Sequence, residues 1–115
     1  MGLTSVHATV SGPRGERELD FLVDSGALYT VLPREHWMAL GLEPRRRLDF
    51  SLADGTRIYR DVSECEIAFD GQRTHTPVVL GEADDSALLG AVTLEELGLV
   101  LNPLNRTLQE IHRTM

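Results

Sequence analysis

The sequence contains no lysine; all eleven of its basic residues are arginine. Set against eighteen acidic residues, they leave a formal net charge of −7. That balance argues against a nucleic-acid backbone or an anionic membrane surface as the main partner. An arginine-only basic set reads as composition bias of the genome, and arginine also suits fixed ion pairs. There is one cysteine, Cys65, so no internal disulfide can form. His7, His36, His75, His112 and Cys65 are scattered without metal-ligand spacing, so no metal and no cofactor is expected. No apolar run reaches membrane length and no signal-peptide pattern is visible; a cytoplasmic location is expected. Internal repeats and low-complexity stretches are missing too.

What is present is a chain of 115 residues, 42% hydrophobic. That is one domain over 1–115 with its own core, burying roughly two-thirds of its unfolded surface. The chain is organised around residues 21–32. Phe21-Leu22-Val23 is a continuous apolar run, which reads as a strand buried on both faces. It leads straight into Asp24, then Ser25, Gly26 and Ala27. A carboxylate leaving the end of a buried strand is costly unless something holds it. Gly26 supplies either a positive φ or room for a close approach. Taken alone, Asp-Ser-Gly is also an ordinary turn.

Along the rest of the chain, Val6, Ala8 and Val10 alternate as a half-buried strand over 3–10. Residues 11–15 form a turn, and 16–23 return as the second strand of a hairpin that delivers Asp24. Residues 33–40 read as a short helix between Pro33 and Gly41, with Trp37 and Leu40 sharing a buried face and His36 solvated. Arg45, Arg46 and Arg47 read as an exposed loop or ion-pair cluster. Strands over 48–52 and 57–69 flank Asp54-Gly55, a strong hairpin signal, with Ile58, Val62, Ile67 and Phe69 directed inward. Asp70-Gly71 turns into a strand over 72–80, where Pro77 marks an edge or an end and His75 is exposed. Thr93-Leu94-Glu95-Glu96 reads as a capping box opening a helix that Gly98 ends. Asn105-Arg106-Thr107 fits a glycosylation sequon that stays idle without secretion.

Asp24-Ser25-Gly26-Ala27 after an apolar strand, joined by Leu88-Leu89-Gly90 ahead of a short helix, resembles the retropepsin-like aspartic proteases of the single-domain bacterial or archaeal type. The joint match is far more specific than either piece, and the order of elements agrees from about 19 to 108. Where relatives commonly carry Asp, Asn102 stands here, outside the catalytic motif. The resemblance implies a mostly β, closed acid-protease barrel with one or two short helices. It implies an aspartic endopeptidase in which Asp24 is catalytic, Ser25 braces the two motif loops across a dimer axis, and Gly26 permits close approach. Leu88, Leu89 and Gly90 would support the site from behind. Ala27 and a mobile flap with its tip at Ala53, Asp54 and Gly55 would bind a peptide or protein substrate. The chain holds one Asp-Ser-Gly and is too short for a two-lobed enzyme, so the resemblance implies a homodimer as partner. The terminal segments 3–10 and 107–111 are the candidates for its contacts. A non-catalytic dimerisation or peptide-binding module on the same scaffold is the alternative. A serine hydrolase acting through Ser25 is weaker, since no Gly-x-Ser-x-Gly elbow exists.

Overall fold

Period-two alternation drives the first two strands together. β1 (Thr4–Gly12) and β2 (Gly15–Val23) pair antiparallel, from Thr4 opposite Val23 to Gly12 opposite Gly15. Ala8 and Val10 on one strand and Leu19, Phe21 and Val23 on the other are buried. The coordinates, a computed structural model, describe residues 4–24, 26–102, 104–112 and 115. β2 stops at Val23, so the hairpin delivers Asp24 as the sequence predicts.

β3 (Thr30–Leu32) leads into α1 (Arg34–Ala39), with Pro33 at its N-cap and Gly41, φ 74°, just past its C-cap Leu40. Leu40 is buried, and Trp37 packs on the core and donates its indole N–H to the Gly81 carbonyl at 2.9 Å. His36, expected to be solvated, is half-buried, with Nδ1 lacking a hydrogen-bond partner among the described residues.

β4 (Arg46–Ser51) and β5 (Arg57–Phe69) form the next hairpin. The strand ends before Leu52, which was expected inside it and is instead exposed in the turn. Arg47 is exposed and sits 3.8 Å from Asp61, in keeping with a surface ion pair. In β5, Val62 and Ser63 are both buried, so the inward parity changes there. Before that point Ile58 is half-buried between exposed Arg57 and Tyr59; after it Ser63, Cys65 and Ile67 are buried and Phe69 is half-buried. Burial, helped by the charge of Glu66, pushes the Cys65 thiol up to about 12. It behaves as a small neutral hydrophobe.

Asp70 and Gly71 both take positive φ in the tight turn to β6 (Gln72–Leu80), which is the conformation a two-residue hairpin demands. β3 joins β6 only from Val78 onward. Pro77, which pairs with Glu64 on the other side, therefore stands where that flank carries no partner strand among those described.

β7 (Leu88–Leu89) is followed by α2 (Ala91–Glu96), and then by a separate two-stranded sheet of β8 (Leu99–Leu101) and β9 (Leu108–Glu110). The main sheet runs β1-β2-β7-β3-β6-β5-β4, and β1 turns back to pair with β5 at Thr9, Val10 and Ser11. The result is a mostly β fold with two short helices, wrapped round a core that includes Val10, Phe21, Leu32, Ile67, Val78 and Leu89. Among the described residues no helix is long and apolar enough to cross a membrane.

The capping-box expectation is corrected. The N-cap of α2 is Gly90, and no side chain caps the helix. Thr93 lies inside α2, fully buried, with its hydroxyl against those of Thr30 and Thr76. Gly98 takes φ 76° at the helix end, as predicted.

Candidate active site

Two strands adjacent in sequence, β2 and β3, are not neighbours in the sheet. β7 lies between them, parallel to β2 with Leu22 opposite Leu88 and Val23 opposite Leu89, and antiparallel to β3 with Val31 opposite Leu88. The loop carrying the motif must therefore bridge over the end of β7.

That bridge is held almost entirely by backbone. Asp24 donates its N–H to the Leu89 carbonyl at 3.1 Å, and its own carbonyl accepts from Ala27 N–H at 3.1 Å. Its carboxylate Oδ1 accepts from Gly26 N–H at 2.9 Å. Asp24 is half-buried. A Cβ on Gly26 would stand 3.2 Å from that same Oδ1. Ser25 lies outside the described residues.

The far side of the loop is fixed by the start of α2. Ala91 N–H donates to the Ala27 carbonyl at 2.8 Å and Val92 N–H to the Leu28 carbonyl at 3.0 Å. These are first-turn donors that a helix cannot satisfy internally, so the loop takes the place of a side-chain cap. Such an approach is possible only because residue 90 is glycine: a Cβ there would meet the Tyr29 carbonyl carbon at 2.4 Å and its oxygen at 2.6 Å. The structure thus brings Asp24, Gly26 and Ala27 together with Leu88, Leu89 and Gly90. Sequence reasoning missed Thr30, whose hydroxyl accepts from Gly90 N–H at 3.1 Å. Its only signal was a lone hydroxyl ahead of the apolar pair Val31-Leu32.

Ala53, Asp54 and Gly55 form the exposed tip of the β4–β5 hairpin. The tip bonds to itself: Leu52 N–H to Thr56 carbonyl at 2.7 Å, Gly55 N–H to Leu52 carbonyl at 2.9 Å, and Thr56 N–H to Asp54 Oδ1 at 2.9 Å. Gly55 supplies the positive φ, 87°. The hydrogen bonds from Thr56 hold the Asp54 carboxyl below its usual range. Close to that tip, at Phe50 opposite Ile58, the hairpin meets the motif loop through an edge-to-face contact with Tyr29, ring centroids 6.1 Å apart.

A family model described as aspartyl protease matches residues 6–93. A comparison with curated proteins found no match. Among solved structures, the EIAV protease complexed with the inhibitor HBY-793 is similar, with TM-score 0.65 and 19% identity over 84% of this chain and 89% of that one. The solution structure of simian foamy virus (mac) protease is similar with TM-score 0.55 and 21% identity, over 76% of this chain and 87% of that one. Both likenesses concern the fold.

The glycine contact is testable by substitution. Gly90→Ala should cost about 3 kcal/mol of stability, because the methyl meets backbone that cannot yield; an unchanged urea midpoint would refute the contact. The tip is testable by pH. A folded-state pKa below the ordinary 3.8 means that the Asp54–Thr56 bond contributes above 3.8 and is lost as pH falls through the lowered value. The Thr56 amide resonance should move with a midpoint below 3.8 and lose that titration in Asp54→Asn. A midpoint at or above the ordinary value would contradict the bond.

Proposed function

The chain belongs to the aspartyl protease family, as a retropepsin-like aspartic-type peptidase, and from that premise we propose that it cleaves peptide bonds with one water held between two Asp24 carboxylates, one from each chain of a homodimer. The observation that carries this is the state of Asp24: one such motif per chain, on a turn pinned at N–H, carbonyl and Oδ1, with the side chain only half-buried. One carboxylate cannot serve as both base and acid on the same water. Two carboxylates about 3 Å apart resist ionising together and so share one proton, as aspartic protease dyads do in general.

In the forward step the ionised Asp24 accepts a proton from water while the water oxygen bonds to the scissile carbonyl carbon. The protonated Asp24 of the second copy donates to the carbonyl oxygen. In the collapse the first Asp24 gives the proton it took to the amide nitrogen, the C–N bond breaks, and a diol hydroxyl passes its proton to the Asp24 of the second copy, which leaves a carboxylic acid, a free amine and a dyad again holding one proton. Ser25 braces the two loops across the axis, and Gly26 permits their approach. Leu88, Leu89 and Gly90 hold each loop from behind. Ala27 contacts an extended peptide, and the flap tip at Ala53, Asp54 and Gly55 covers it, excludes water and adds backbone hydrogen bonds.

The terminal segments support self-association. Thr4 pairs opposite Val23, so the start of β1 lies beside the residue that precedes Asp24. Thr4 Oγ1 donates to the Arg106 carbonyl at 2.5 Å, which brings the β8–β9 turn to the same end. Val100, Leu104 and Ile111 are exposed apolar side chains in this terminal region, the kind of surface a partner covers.

Asp24→Asn should lower peptidase activity by at least about a thousandfold while fold and dimer persist. A fluorogenic peptide library with and without an aspartic-protease inhibitor, read beside light scattering, measures both. Deleting the residues after Asn105 should weaken the dimer and the activity together. Unchanged turnover in Asp24→Asn would end the proposal; an inactive but stable wild-type dimer would make the chain a binding module.

A further inference from the structure

Three threonines far apart in sequence meet in the core. Thr30 on β3, Thr76 on β6 and Thr93 in α2 are at most 1% exposed. Thr30 and Thr93 hydroxyl oxygens lie 2.5 Å apart, and those of Thr93 and Thr76 lie 2.8 Å apart. A buried hydroxyl without partners is costly, so a cluster of three needs either mutual bonding, which these make, or replacement by valine. The open end of the series indicates what it does: Thr30 Oγ1 also accepts the Gly90 N–H at 3.1 Å.

That N–H is one end of a single peptide unit whose other end is the Leu89 carbonyl. The Leu89 carbonyl accepts the N–H of Asp24 at 3.1 Å. A peptide unit is planar and stiff, so bonds at both ends fix its rotation. With Thr30 donating to Thr93 and Thr93 to Thr76, a head-to-tail series runs from Asp24 N–H to Leu89 carbonyl, and from Gly90 N–H through Thr30 and Thr93 to Thr76. Bonds aligned in one direction polarise one another, which strengthens the Leu89 carbonyl as the acceptor for Asp24.

We propose that Thr30 is a positioning residue for Asp24, acting through the Leu89–Gly90 peptide, with Thr93 and Thr76 holding its hydroxyl in line. Its consequence for catalysis rests on the protease reading above; its consequence for the Asp24 backbone does not. Thr30 touches no substrate. It sets the direction of the amide from which the carboxylate projects. A side chain displaced by a fraction of an ångström loses alignment with a water that must be shared by two carboxylates.

The test uses the full chain and two readouts. In Thr30→Val the Asp24 amide proton should exchange about tenfold faster, and its amide resonance should shift. The turnover number should fall about tenfold with KM within about twofold of wild type, the split expected when transition-state geometry is lost rather than binding. Thr30→Ser, which keeps the hydroxyl, should restore both readouts. Ile67→Val, a core truncation outside the network, should lower the melting temperature without either effect. An Asp24 amide unmoved in folded Thr30→Val overturns the proposal, as does an equal turnover loss in Ile67→Val. Should Thr30→Val fail to fold, Thr93→Val leaves Thr30 in place and breaks the series behind it; an Asp24 amide unmoved there overturns the proposal equally. A wild-type chain without peptidase activity would sink the protease reading, while the amide readout would still decide the role of Thr30.

Discussion

Gly90 has no side chain, and everything at the site follows from that vacancy. With no Cβ to hold them apart, the backbone of Leu28 and Tyr29 lies directly against residue 90. The two first-turn N–H groups of α2 reach the carbonyls of Ala27 and Leu28. β7 can then slot between β2 and β3, and the turn at Asp24 closes over its end. The energetic logic is one of accounting for polar groups. The amides and carbonyls of this half-buried turn need partners, and Asp24 N–H, Ala27 carbonyl and Leu28 carbonyl find them in β7 and α2.

The same arrangement separates rigid from movable parts. The motif loop is bonded on both sides by regular structure. The β4–β5 hairpin is different: β4 pairs only with β5 among the described strands, the tip bonds within itself, and Phe50 beside the tip meets Tyr29 of the loop edge to face. On the proposed reading this hairpin is the cover over an extended peptide, and pairing along one side only suits that role.

Local features were legible in the sequence where local chemistry decides the outcome. Alternation at Val6, Ala8 and Val10 marks β1, Asp70-Gly71 marks a tight turn, and Pro33 and Gly41 bracket α1. Long-range decisions were less visible. Thr93 followed by Glu96 matches a helix-start pattern, yet Gly90 begins the helix and the threonine is used in the core. A hydroxyl carries no mark of whether it will meet a backbone amide three residues on or a threonine on a distant strand. Leu52 looked like the next inward position of a strand because alternation does not say where the turn begins. The parity change at Val62 and Ser63 arises where β5 passes from pairing with β4 to pairing with β6, a tertiary event that no window of sequence contains. The family motif located Asp24 and Leu88 to Gly90 because it records such long-range packing in few residues.

On the proposed reading the catalytic unit is built from two chains, each contributing one Asp24. Subunit mixing tests it most directly. Peptidase activity of a fixed amount of wild-type chain is followed as Asp24→Asn chain is added and allowed to exchange. A steady loss is expected, to about half at equal amounts with random pairing, because mixed dimers hold only one competent carboxylate. Activity that stays constant at every ratio, in mixtures shown to exchange subunits, would contradict it.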